Sequence, residues 1–413
     1  MPTLLSLLLA CSRGSIPDLD GSCRSGAPDL GEAGGTAVDS FDLDWTYSSG
    51  DALSWAGPIT GVLAEDLTSF AVTVDAGTGP SGIAWLVLDD EVIQDWSGER
   101  RYGDAARTKG VNTDSWGSWG DSAWDSSGGT GWVPDGDGWG SHPLYHWPAP
   151  AGTIRLPMNA ATAPSPGCLA LLPVASGDHR DQGGQVHIVT KRSPASQDVL
   201  NLNAVLIEGA GMSEDQVWEA IAEMERIYAA EGGPALGEVT LWLDGLSGGG
   251  AYLPSSGAEL GELRARDYEG EEALNLFFIA DFSSESGTLG IAAGIPGAMG
   301  VQGTAGSGVT ISVETHLDGT GAIDIPLMGG TMAHELGHQL GLYHTTEADG
   351  GTHDIIDDTP ECSDDPDGDG YVTAEECVGM GGENFMFWTA GELVQETISS
   401  QQAAMLDSSP PAQ

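Results

Sequence analysis

Basic residues are scarce in this sequence: 13 lysines and arginines stand against 62 aspartates and glutamates among 413 residues, a formal charge of −49. A phosphate backbone is repelled by such a chain, which excludes nucleic acid as a partner. The shortage is also uneven, because no lysine or arginine follows Arg266. The last third of the chain is therefore acidic without a basic partner of its own, and counter-ions, metal ions or external salt must limit its self-repulsion. Lys109 and Lys191 are the only lysines, and neither stands in a phosphate-binding glycine loop. Long apolar runs are missing too: residues 2–10 (PTLLSLLLA) form a run too short for a mature membrane-spanning helix. Cysteine is limited to 5 residues.

Glycine, by contrast, is abundant at 62 residues, about twice the usual share of roughly 7%, while a hydrophobic content of 40% still supplies cores. A loop-rich folded protein is expected, with two domains or three at ~150 residues each. Residues 2–10 fit the h-region of a secretory signal, although only the initiating amine carries positive charge there. Leu8-Leu9-Ala10-Cys11 resembles a bacterial lipobox, which implies a signal peptide over 1–11, lipidation of Cys11 and an exported chain, at the cell surface or secreted. The four other cysteines are permitted to form disulfides outside the cell. Cys362 and Cys377, close in sequence, are the expected pair, whereas the pairing of Cys23 and Cys168 stays open. Cys23, in CRSGAPD, also faintly resembles the cysteine switch of zinc protease propeptides, interrupted by two extra residues.

Residues 12–40 read as a Gly/Ser/Pro-rich linker. From 41 to 193, short apolar or alternating runs at Phe70–Val74, Ile83–Leu88, Thr153–Leu156, Leu169–Val174 and Val186–Val189 are separated by turn residues, the pattern of a β-sandwich. Six tryptophans between Val111 and Trp147 read as rings capping long loops, with a carbohydrate or peptide platform as the alternative. Beyond Pro194 the pattern changes. Leu200–Ile207 reads as a strand, Ser213 caps a helix carrying Val217, Ala220, Ile221, Met224, Ile227 and Tyr228 on one face, and Gly232-Gly233 ends it. Strands are expected at Val239–Leu243, Leu274–Ala280, Leu289–Ala292 and Val309–Val313. This strand–helix–strand order predicts a mostly parallel twisted sheet with helices packed on it, so the class is α+β: a β-sandwich, accessory or pro-domain, before a second domain over 196–406 and a tail at 407–413.

The chemistry is concentrated in TMAHELGHQLGLYH, residues 331–344. On a helix, His334 and His338 at i and i+4 share a face, so both imidazoles can approach one metal. Glu335 stands beside that metal, within reach of a bound water. Gly341 allows a left-handed turn that returns the chain so that His344 supplies a third ligand. Three protein ligands leave a fourth position open, the arrangement of a catalytic Zn2+ site. A zinc held there would acidify a water; Glu335 is expected to take that water's proton as its oxygen adds to a scissile carbonyl, and to deliver the proton to the amine released when the C–N bond breaks.

At these residues the sequence resembles the metzincin zinc metalloproteases, and within them the pappalysin-like group. GLYHTTE at 341–347, Asp357-Asp358-Thr359-Pro360 and Asn384-Phe385-Met386 extend the likeness over about residues 196–406. The resemblance implies a metzincin-like fold with its active-site helix and Met386 in a turn beneath the zinc ligands. It also implies that Leu289–Ala292 is the edge strand along which an extended peptide lies. One position departs: Trp388 stands where such proteases often carry tyrosine, and an indole offers only an N–H donor.

Asp365–Glu376, DPDGDGYVTAEE, matches the twelve-position calcium loop of EF-hands. Asp365, Asp367 and Asp369 take positions 1, 3 and 5, Gly370 makes the turn, Tyr371 offers its carbonyl and Glu376 closes the loop. Structural Ca2+, cinched by Cys362–Cys377, is therefore expected beside catalytic Zn2+. The reading is a monomeric zinc endopeptidase acting on protein or peptide substrates, with membrane contact only through the lipid anchor. The alternative is a surface-anchored binding lipoprotein in which the tryptophan-rich sandwich acts and the protease-like domain is a scaffold.

Overall fold

The computed structural model describes residues 27–31, 36–48, 53–77, 81–88, 91–94, 151–157, 167–192, 198–246, 250–268, 273–283, 287–391 and 393–412. The lipobox with Cys11, the residue Cys23 and the tryptophan-rich stretch lie outside the described residues. Among the described residues no helix is long and apolar enough to cross a membrane.

The N-terminal unit is built of β1 (Thr36–Asp42), β2 (Thr46–Ser48), β3 (Leu53–Trp55), β4 (Ile59–Leu63), β5 (Leu67–Asp75), β6 (Ser81–Leu88), β7 (Glu91–Gln94), β8 (Ala151–Leu156), β9 (Gly167–Ser176) and β10 (Gln185–Arg192). They form two antiparallel sheets, ordered β1-β10-β5-β8 and β2-β3-β9-β6-β7, with β4 joined to β9. Alternation decides which face each strand buries. Phe70, Val72 and Val74 of β5 enter a core with Ile154, Ile188, Leu86 and Leu171, drawn from both sheets. The intervening Ala71 faces the other way and joins the core of the second unit.

That second unit holds β11 (Val199–Ile207), α1 (Glu214–Ala229), β12 (Ala235–Asp244), α2 (Gly257–Arg264), β13 (Leu274–Ile279), β14 (Gly290–Ala292), β15 (Val309–Ser312), α3 (Ile325–Gln339) and α4 (Ser400–Asp407). Its sheet runs β12-β11-β13-β15-β14, parallel except for the antiparallel edge pair β14 and β15. The fold is thus mixed, with several sheets and few helices. Ser213 caps α1 through a reciprocal bond with Gln216, and the six apolar residues expected on its inner face are the buried ones. That face packs against α3, where Met224 shares a core with Met328 and Met332. The Tyr228 hydroxyl donates to the Ala333 carbonyl at 2.9 Å.

Two boundaries differ from the sequence reading. Within the expected linker, Leu30 is buried in the N-terminal core and Thr36–Asp42 pairs with β10. Within the expected tail, Ala412 is buried and bridges to Leu200, while Thr36 Oγ1 donates to the Pro410 carbonyl. Both segments are short, and a lone Leu30 or Ala412 among turn residues has no periodicity to reveal it.

Candidate metal centre

Asp324 begins the helix that carries the centre, its carboxylate accepting from Leu327 N, with Pro326 in the first turn. Met328, Met332 and Leu336 bury one side of α3, which leaves His334 and Glu335 on the side facing the cleft. The helix ends at Leu340. Gly341 then takes φ 100°, a left-handed value that glycine adopts without a Cβ clash, and Leu342 N bonds back to Gly337 O at 2.8 Å. The reversal brings His344 to the two helical histidines.

His334, His338 and His344 form one group of potential metal ligands. Nε2 of His344 lies 3.1 Å from Nε2 of His338 and 3.2 Å from Nε2 of His334. The opposite ring nitrogens are each engaged by an acceptor. His334 Nδ1 donates to Phe385 O at 2.7 Å, and His338 Nδ1 donates to Leu342 O at 2.8 Å. His344 Nδ1 faces the Glu347 carboxylate at 3.0 Å. Carbonyls only accept, so these bonds place the protons on Nδ1 and turn the Nε2 lone pairs towards one another. Such crowded lone pairs suit a shared cation, and imidazole donors suit zinc. Burial, with His344 nearby, lowers the His334 imidazole to about 3. At His344 burial also lowers the pKa, but the Glu347 and Glu335 carboxylates outweigh it and the net shift is upward.

Glu335 lies beside the group. Its Oε2 accepts from Ala292 N on β14 at 2.7 Å, and burial pushes its carboxyl up to about 7 against the opposing pull of that N–H, His344 and Arg264. Two glycines permit these approaches, and neither stood out in the sequence. A Cβ on Gly290 would lie 2.7 Å from Glu335 Cγ, and one on Gly337 would lie 2.6 Å from Met386 Sδ. Met386 is fully buried beneath the helix, and its carbonyl accepts from Thr345 N next to His344. Arg264 is buried behind the edge strand and donates to Ile291 O at 2.8 Å. His316, also buried, spans from Ser312 O to Thr331 Oγ1 on α3.

A cavity of about 460 Å³ opens beside His334 and Glu335, with Leu289, Leu327, Phe385, Trp388 and Val394 among its walls. Trp388, the departing position, donates its indole N–H to Val372 O at 2.6 Å and so ties this wall to the acidic loop. In that loop Asp365, Asp367 and Glu376 come together as potential ligands. Asp369 is not in that group; its Oδ1 accepts from Tyr371 N at 2.9 Å, and the Tyr371 side chain is exposed. The Cys362–Cys377 disulfide is formed, with a Cα–Cα distance of 5.8 Å. Cys168 is also disulfide-bonded.

No curated protein sequence matches the chain. Among solved structures, a crystal structure of metalloproteinase-II from Bacteroides fragilis is similar at 13% identity and a TM-score of 0.31, covering 54% of this chain and 62% of that one. Residues 264–345, which include the edge strand, α3 and all three histidines, match the model of the metallo-peptidase family M12B, reprolysin-like.

Proposed function

We propose that the chain is a zinc-dependent endopeptidase of metzincin type, with His334, His338 and His344 as zinc ligands and Glu335 as general base. The observation that carries this reading is the convergence of three Nε2 atoms whose Nδ1 partners are all acceptors, with a carboxylate alongside. When bound there, zinc would supply Lewis acidity for a scissile carbonyl and acidify a water. Glu335 takes the proton of the attacking water and passes it to the leaving amine, a task suited to a carboxyl held near neutrality. The edge strand β14 receives an extended substrate by strand addition, and the adjoining cavity accepts a side chain next to the scissile bond. Met386 supports the ligands from below, and Gly341 sets the turn between the second and third histidine.

The finer assignments belong to the same reading. Within the metzincins the chain is read as pappalysin-like, the two N-terminal sheets are read as a β-sandwich, and Asp365, Asp367, Asp369, Tyr371 and Glu376 are read as a calcium loop. Export with Cys11 as a lipid anchor gives access to extracellular protein substrates. Glu335→Ala should retain one zinc by metal analysis and lose at least about a hundredfold of peptide hydrolysis. Hydrolysis surviving at the wild-type rate, or insensitive to a zinc chelator, would sink the assignment.

A further inference from the structure

The strongest feature that this function leaves unused lies between the two units. Arg155, on β8 of the N-terminal sheets, is 3% exposed. It stands in a cross-strand row with Ala71 and Val189 on the sheet face turned towards the second unit. Its Nη1 donates to Leu340 O at 2.5 Å, and Nη2 donates to Met405 O at 2.5 Å and to Ser408 Oγ at 2.9 Å. Leu340 and Ser408 are the C-caps of α3 and α4. One guanidinium thus closes the negative ends of two helices, each of which leaves carbonyls without an intrahelical partner. Lys191 repeats the device beside it, donating to Asp407 O and pairing with Asp198 at 2.9 Å. Burial lowers the Arg155 pKa only to about 9, so the cation persists at neutral pH.

The place where Arg155 binds matters for the metal. Leu340 directly precedes Gly341, whose missing Cβ would point to Arg155 Cδ at 3.5 Å. Two residues past Leu340, the Leu342 carbonyl orients His338. Two further on stands His344. The segment that joins the second histidine to the third is therefore held by a residue from the other unit, 185 positions away. Because no lysine or arginine follows Arg266, the chain beyond that point has no cation of its own for either helix end.

We infer that Arg155 is a positioning residue of the metal centre, so that the N-terminal sheets are a permanent part of the working peptidase and not a segment to be removed on activation. This inference rests on the zinc reading above.

Its test uses the full-length chain and reads metal binding rather than turnover. Zinc affinity is measured against a chelating dye, and the ligand geometry by the visible spectrum of the cobalt-substituted protein, for the wild type, Arg155→Met and Lys191→Met. The lysine variant breaks the same interface without touching the Leu340 turn. Both variants should melt at lower temperature, but only Arg155→Met should weaken zinc binding, by about tenfold, and shift the cobalt bands. Equal affinities in all three proteins, or equal losses in both variants, would reduce Arg155 to an ordinary interface bond and overturn the inference. Should Arg155→Met fail to fold, Arg155→Lys replaces it: a lysine keeps the charge but cannot bridge two helix ends. Zinc release several-fold faster than wild type is then expected, and an unchanged rate overturns the inference. If the wild type binds zinc but Glu335→Ala leaves hydrolysis intact, the general-base assignment fails while this comparison still decides the role of Arg155. A wild type that binds no zinc at the histidines removes the reading beneath both.

Discussion

Two side-chain vacancies set how closely Glu335 approaches the edge strand and the Met386 sulfur approaches α3. Gly337 lies between the helical histidines and leaves room for the Met386 sulfur, and Gly290 leaves room for Glu335. Their replacements separate stability from chemistry. Gly337→Ala overpacks a buried contact and should cost about 1–3 kcal/mol, read as a lower melting temperature. Gly290→Ala presses on Glu335 Cγ at 2.7 Å and Thr331 Cγ2 at 2.9 Å, so the turnover number should fall about tenfold or more with a smaller loss of stability. A Gly290→Ala protein of undiminished activity would contradict the placement of Glu335. The histidines themselves were legible in the sequence because ligand spacing on one helix followed by a glycine turn is local information. Gly290, Gly337 and the Glu347 partner of His344 were not legible as site residues, since each acts through a contact that only the folded chain creates.

At the scale of elements, the centre is a helix, an edge strand and a loop held in register by few bonds. The helical spacing of α1's apolar residues and the short apolar runs of the second sheet forecast these elements to within a few residues. The use of Trp388 could not be forecast in this way: its indole bonds Val372 O, inside the acidic loop, and packs with the disulfide cluster around Cys362, Cys377 and Phe387. The loop and the cavity wall therefore form one structural piece. If the loop holds calcium, adding calcium to zinc-loaded, otherwise metal-free protein should raise the melting temperature by several degrees, about 2–4 °C per kcal/mol for a domain of this size. Asp365→Asn should abolish that rise. A melting temperature indifferent to calcium in the wild type would count against the calcium reading.

For the whole molecule, charge and buried imidazoles govern response to conditions. Burial holds His187 and His316 below the ordinary value of 6.5. The unfolded chain binds protons at these sites near that value and the folded chain resists them, so stability is full above it and is lost as the pH falls towards the folded values. Asp407, raised to about 6 chiefly by burial and by Asp198, works in the opposite sense between about pH 4 and 6. Melting temperatures taken from pH 7.5 down to 5 should therefore decline, and the decline should be shallower, without being abolished, in a His187→Gln, His316→Gln double variant, because His334 is held low as well. An equally steep decline in that variant would assign the acid limb to other groups. The uneven charge visible in the sequence foretold the need for cations, but not that Arg155 and Lys191 would supply two of them across an interface.

The Arg155 clamp on the end of α3 also sets an order of events during synthesis. The sheets that carry Arg155 leave the ribosome long before Leu340 and Met405, and contacts separated by 185 and 250 residues close late. A partly made chain therefore holds its histidines on a helix whose C-terminal end stays open until the last helix docks.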